Sequence, residues 1–266
     1  MSTKKKTQQQ KKAASRRKAD EMSVCCGTID EAARARFARV VRENMLETKS
    51  RDGGIGTLGE KRMHAVIKNY LADKRFQEVR TDTLFRTEDF GSSGSPDATK
   101  DDSQRSPRSV RFVADIFDGD RFFEVQTGSF RPLRAKLDYY LTKTRYPVTL
   151  VHPIAAVKHL SWIDPAMGKI TPPRRSPRRG QVRDVAGQLY WLTGFAPYIR
   201  SGRLTLRILL CETSEYRMKN GWGRGGKRGS ERYERIPTVL CDDVILSFPE
   251  DYKREFLPAG LPERFT

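Results

Sequence analysis

RFVADIFDGDRFFEVQTGSF, residues 111–130, decides how this chain folds. It reads as two short apolar strands joined at Asp118-Gly119, a dipeptide that favours a two-residue type I′ hairpin loop. Side chains alternate between faces along a strand. Glu124 and Gln126 therefore share one face, and Phe123 and Val125 point the other way. A two-residue loop pairs Asp115 with Phe122, which sets Asp115 on the Glu124 face and diagonal to it. A three-residue loop would separate the two acids. The face opposite carries Phe112, Ala114, Ile116, Phe123 and Val125, a core surface. Carboxylates in such apolar surroundings are costly without a partner, and two of them raise each other's pKa unless a cation compensates. Mg²⁺, or Mn²⁺ in its place, is the natural compensator, because it takes hard oxygen ligands and keeps waters for chemistry.

Outward from the hairpin, the sequence alternates helix and strand. GGIGTLGEKRMHAVIKNYLADKRF (53–76) opens on a glycine loop. Thr57 and Glu60 have the spacing of a capping box. Met63, Val66, Ile67, Tyr70 and Leu71 then form one apolar helical face. FQEVRTDTLFR (76–86) predicts a strand, and residues 88–109, rich in Gly, Ser, Asp and Pro, predict a long flexible loop. After the hairpin, RPLRAKLDYYLTKTR predicts a helix and YPVTLVHPI a buried strand. The order is helix, three strands, helix, strand.

With that order in place, VADIF and FFEVQ resemble the second and third motifs of the PD-(D/E)XK nuclease superfamily, and GTLGEK resembles the first. The resemblance covers about residues 54–154. It implies a restriction-endonuclease-like α/β core, a mixed central sheet flanked by helices, and hydrolysis of phosphodiester bonds with bound Mg²⁺ or Mn²⁺. It implies that Glu60 is the helical acid, that Asp115 is the central metal-binding acid, and that Glu124 and the Val125 carbonyl complete the ligands. Gln126 stands where most members have Lys. Gln carries no charge and cannot act as a base. A positive group then has to come from elsewhere: Lys61, Arg134 and Lys136 are the neighbours, and their ordinary roles are phosphate contacts or solvated charges. Glu60 could also simply cap its helix, and His64, one turn on, could approach the site or be merely half buried.

Four units are expected along the chain: a basic tail without a core (1–28), a helix and linker (29–52), the nuclease-like core (53–158, with the insertion at 88–109), and a basic C-terminal extension (159–266). TIDEAARARFARVVRENML (28–46) predicts the first helix, capped by Thr28 or Asp30. In the extension, VKHLSWIDPAMGKITPPRR predicts a hairpin, DVAGQLYWLTGFAPYI a helix capped by Asp184, and RLTLRILLCETSEYR and IPTVLCDDVILSF two strands. PEDYKREFL predicts a short final helix. A helix followed by a hairpin with a basic loop suggests a winged-helix-like unit, with an extension of the nuclease sheet as the alternative.

The formal net charge is +18 and the pI near 10.0, which points to nucleic acid or an anionic surface as partner. Arg174, Arg175, Arg178 and Arg179 form one basic cluster. Arg224, Lys227 and Arg228 form another around Trp222, where cations can neutralise phosphates and the indole can stack on a base. DNA is the expected target ahead of RNA, and a homodimer is compatible with the sequence. No stretch reaches the roughly 20 apolar residues that span a bilayer. The basic N-terminus has no apolar run behind it, so an intracellular (cytoplasmic) protein is expected. Cys25, Cys26, Cys211 and Cys241 show no metal-binding spacing and read as reduced thiols.

Overall fold

Helices cover both faces of one mixed sheet in the computed structural model, which describes residues 29–48, 58–81, 112–221 and 230–257. Asp30 begins the first helix, α1 (Glu31–Thr48): its Oδ1 accepts the Ala33 amide at 2.7 Å, so Asp30 is the cap. Phe37 and Val40 bury one stripe of α1 against α2 (Leu58–Leu71), whose Met63, Val66, Ile67 and Tyr70 are buried as the helical spacing predicts. Phe37 and Tyr70 meet edge to face at 5.2 Å.

The strands follow as β1 (Gln77–Arg80), β2 (Val113–Phe117) and β3 (Phe122–Val125), each antiparallel to the one before. A short 3₁₀ turn leads into α3 (Arg134–Lys143), which carries the chain over to β4 (Val148–Asp164), parallel to β3. Two-residue strands β5 (Lys169–Ile170) and β6 (Arg174–Arg175) fold back onto the far half of β4. Residues 182–200 form a run of short turns holding α4 (Ala186–Leu189) and α5 (Ala196–Arg200) instead of one regular helix. Gln181, not Asp184, is its N-cap, and Asp184 accepts the Gln181 amide at 3.2 Å. Then come β7 (Leu204–Met218), β8 (Arg232–Leu246) and α6 (Pro249–Phe256).

The sheet order is β1-β2-β3-β4-β7-β8. β7 runs parallel to β4 along nearly its whole length, and β8 pairs antiparallel with β7. This corrects the winged-helix expectation: the hairpin of the second half continues the central sheet, and α1 and α2 pack on β8. Long apolar strands buried on both faces are more stable inside a sheet than in a separate small unit. β4 also runs through position 158, where the core was expected to end.

Two cores result. Leu137, Tyr140 and Leu141 of α3 pack with Phe122, Val148, Leu150 and the turns of 182–200 on one face. On the other, α1 and α2 pack with Val125, Val151, Leu209 and Leu240. No helix among the described residues is long and apolar enough to cross a membrane. Of the described cysteines, Cys211 is a buried free thiol and Cys241 is disulfide-bonded, so the reading as reduced thiols holds for Cys211 alone.

Candidate active site

The hairpin register differs from the sequence expectation by two residues. Phe117 pairs with Phe122 and Ile116 with Phe123, so the loop spans four residues, not two. Asp118 is the cause: its Oδ1 accepts the amides of Asp120 at 3.0 Å and Arg121 at 2.8 Å, a side-chain-closed turn that competes with the type I′ loop. Gly119 supplies the positive φ of +105°. A shift of two keeps the parity of the pairing. Asp115 now stands opposite Glu124 instead of diagonal to it, but the expected shared face is not kept: Asp115 turns to His64 of α2 and Glu124 to Lys136 of α3.

The face behind the acids is not one surface, however. Phe112 and Ala114 pack in the α3-side core, while Phe123 and Val125 pack on the α2 side. The alternation fails at Glu78 in β1, whose φ of +53° is left-handed. Gln77 bonds Asn69 and the Ala72 carbonyl on the α2 side, Glu78 ion-pairs with Lys68 of α2, and Val79 packs on the α3 side. Gln77 pairs with Ile116 and Val79 with Ala114, so the break faces Asp115. There the ladder between β2 and β3 gives way to side-chain bonds. Asp115 Oδ2 accepts the Val125 amide at 2.8 Å, and Glu124 Oε1 accepts the Asp115 amide at 3.4 Å.

Each acid consequently meets a nitrogen-bearing side chain from a different helical layer. His64 of α2 places Nε2 3.1 Å from Asp115 Oδ2. Lys136 of α3 places Nζ 2.6 Å from Glu124 Oε2, and Tyr140, one turn on, donates its hydroxyl to Oε1 at 3.2 Å. Tyr140 is itself fixed by stacking on Phe122 at 4.3 Å. Glu124 is 1% exposed. Burial, helped by the nearby Asp115 charge, pushes its carboxyl up to about 7 against the pull of Lys136. Burial acts on Asp115 in the same sense, but His64, the Val125 amide and Lys136 outweigh it, and its carboxyl lies below the ordinary value.

Lys136 was read as a solvated charge or phosphate contact. It is the principal cation of the site, on the sheet-facing side of α3 among the buried Leu137, Tyr140 and Leu141. A lysine four residues before a tyrosine on an apolar helical face was the signal available in the sequence. Gln126 contributes its backbone to the sheet, donating to the Val151 carbonyl at 2.9 Å. Its side-chain amide bonds the Ser129 carbonyl, and its own carbonyl takes His152 Nδ1. Glu60 lies in the first turn of α2, one turn before His64, with a side chain outside the described residues. Lys61 is likewise undescribed beyond its helical backbone. Among the described residues no three His, Cys, Asp or Glu side chains converge as a ready cation site.

The first basic cluster lies elsewhere. Arg174 and Arg175 pair with Leu160 and His159 at the far end of β4; Arg178 and Arg179 are exposed in the loop that follows. Trp222, Arg224, Lys227 and Arg228 lie outside the described residues, between the paired strands β7 and β8.

Fold and site together define an α/β protein with a mixed sheet and two neighbouring carboxylates, Glu124 buried against Lys136 and Asp115 partly buried against His64. Residues 98–247, more than half of the chain, match the family described as a domain of unknown function, DUF8091, and the chain belongs to that family. The match runs from before β2 to the end of β8. It contains Asp115, Glu124 and Lys136 and leaves out α1, α2 and His64. No curated protein matches, and no solved structure matches.

Proposed function

We propose that this chain is a divalent-metal-dependent nuclease of PD-(D/E)XK type, hydrolysing phosphodiester bonds inside the cell, in DNA ahead of RNA. The observation that carries the proposal is the hairpin that sets Asp115 opposite Glu124 with the Lys136 ammonium 2.6 Å away. The succession α2, β1, β2, β3, α3, β4, antiparallel through β3 and then parallel, supports the same core.

The donors suit Mg²⁺ or Mn²⁺ in kind. Asp115 and Glu124 offer hard carboxylate oxygens, with the Val125 carbonyl and Glu60 as the further candidates. Asp115 takes its contacts from Val125 and His64 on Oδ2, while Glu124 would have to exchange the Lys136 contact for the ion. When bound, the ion would polarise the phosphoryl oxygen and lower the pKa of a water. The chain's own residues do the rest. The Val125 amide and His64 fix the orientation of Asp115. Lys136, displaced from Glu124, supplies the positive charge that Gln126 cannot, and neutralises charge developing on the phosphate. Arg174, Arg175, Arg178 and Arg179, with Trp222, Arg224, Lys227 and Arg228, are proposed to hold the strand through its phosphates and one stacked base.

The test is cleavage of single-stranded, double-stranded and branched DNA, beside RNA, across a Mg²⁺ and Mn²⁺ titration. Cutting that depends on the metal and disappears in Asp115→Ala and Glu124→Ala, with DNA binding retained, is the expected result. If both variants cut like the wild type, the nuclease proposal is wrong. DNA binding with no metal-dependent cutting would make the chain a catalytically silent nucleic-acid-binding module, whose carboxylates serve only Lys136 and His64.

A further inference from the structure

A second polar centre lies on the far half of the same sheet. Glu215 of β7 is fully buried, yet its carboxylate meets four cations: Arg217 at 2.6 Å, Arg235 at 3.1 Å, Lys158 at 3.5 Å and Arg232 at 3.8 Å. One negative charge against four positive ones leaves a surplus fixed in place by hydrogen bonds from Arg217 and Arg235. Two of these cations, Lys158 and Arg235, also line a pocket of about 220 Å³, together with Arg178 and Ser176. About 10–15 Å³ of such space holds one water, so the pocket admits a group several times larger.

The pocket is built by the backbone. β4 shifts register against β7 between Ala155 and Val157. The loop after β6 closes on that irregularity through Gly180, whose amide donates to the carbonyls of Ala155 and Ala156 at 3.1 Å each. A Cβ at Gly180 would stand 2.3 Å from the Ala155 oxygen, so only glycine lets the loop approach this closely. Asp184 is the acid on the rim, paired with the exposed Arg178 at 3.5 Å. Burial and the neighbouring guanidinium groups pull the Lys158 ammonium below its ordinary pKa, against the attraction of Glu215. An anion in the pocket would relieve that tension.

We propose that this pocket is a phosphate-binding site. The phosphate group belongs either to a nucleic-acid strand or to a free phosphate ester. The pocket residues Ile154 to Lys158 lie along β4 from Leu150, the partner of Glu124. At about 3.3 Å per residue, that separates the site from the carboxylate pair by roughly 13–26 Å. The inference does not depend on catalysis at Asp115.

The experiment measures binding of a DNA oligonucleotide, by fluorescence anisotropy in EDTA, and of inorganic phosphate, by calorimetry. The full chain is compared with Lys158→Gln/Arg178→Gln and with Ser176→Trp. The first removes two cations while Glu215 keeps its arginines; the second keeps every cation and fills the pocket. At least tenfold weaker binding in both variants is expected, with a shallower slope of log affinity against log salt in the charge variant. Loss for the oligonucleotide identifies a strand phosphate; loss for inorganic phosphate alone identifies a free ester. Unchanged affinity for both ligands in the charge variant overturns the proposal. So does an effect of charge with none from Ser176→Trp, which would mean diffuse attraction, or a wild type that binds neither ligand. Both measurements are made without divalent metal and without cutting, so failure of the nuclease proposal leaves this one standing.

Discussion

Glu124 and Glu215 are both buried glutamates on one sheet, and their surroundings push them in opposite directions. Glu124 shares its site with a second carboxylate and has one lysine, and burial wins: the carboxyl rises to about 7. Glu215 is buried as well, but Arg235, Lys158 and Arg217 outweigh the desolvation and hold it below the ordinary value. Burial does not set the protonation of a carboxyl by itself; the local count of opposite charges decides. The first centre is short of cations, as a site awaiting one would be. The second has cations to spare, as a site awaiting an anion would.

The sharpest way to break this contrast is to remove the lone lysine. Lys136→Met leaves Glu124 buried without its ammonium, and removing one partner of a buried pair costs about 3–5 kcal/mol. The loss should be large near pH 8, where Glu124 ionises, and smaller near pH 5, where it holds a proton. Urea denaturation at the two pH values measures it, and an equal loss at both would show that Lys136 acts through packing alone.

Next in size is the pH dependence of stability itself. The folded carboxyl of Glu124 lies above its ordinary 4.5, at about 7. Its contribution is therefore complete below about pH 4.5 and is lost as pH rises through about 7. At about 1.4 kcal/mol per pH unit, the loss is on the order of 3 kcal/mol. Glu124→Gln should flatten that part of the melting-temperature profile; a slope unchanged by the substitution would place the titration elsewhere.

Glu215 has the opposite sign. Its folded pKa is depressed, so its stabilisation is present above the ordinary 4.5 and disappears as pH falls through the folded value. Glu215→Gln should lose about 1.5–3 kcal/mol near neutrality, the value of hydrogen bonds to a charged group, and little at low pH. A uniform loss across the range would argue against charge as the cause. The smallest effect is expected from His64→Ala, about 0.5–1.5 kcal/mol for the loss of one hydrogen bond between partly buried side chains. Its signature is spectroscopic: the Asp115 carboxyl, followed by carbon NMR, should titrate at higher pH than in the wild type. An unmoved titration would remove His64 from the site.

The fold was largely legible because the signals were local. Helical spacing in α2, the Asp30 cap and the apolar strands of the second half all survive packing. The site was legible in part. Alternation along β2 and β3 placed Asp115 beside Glu124 even though the loop length was read two residues short, because an even shift preserves the parity of the pairing; the expected single face did not survive, since Asp115 turns to His64 of α2 and Glu124 to Lys136 of α3. Asp118 closing its own turn was the missed competitor. Asp184 and the turns of 182–200 were misread for a similar reason, since a helical pattern broken by Gly194 and Pro197 settles into short turns.

By itself, then, the sequence determined an α/β order, a strongly basic chain and two acids on neighbouring strands of one hairpin. Tertiary structure alone decided what neutralises them. The left-handed Glu78 breaks the alternation of β1 opposite Asp115 and opens that acid toward α2, while Glu124 stays under α3. His64 and Lys136, separated along the chain by three strands of the sheet, can meet adjacent carboxylates only because the sheet lies between their helices. The cations around Glu215 come likewise from three different strands, and no local pattern announces a charge balance assembled across a sheet.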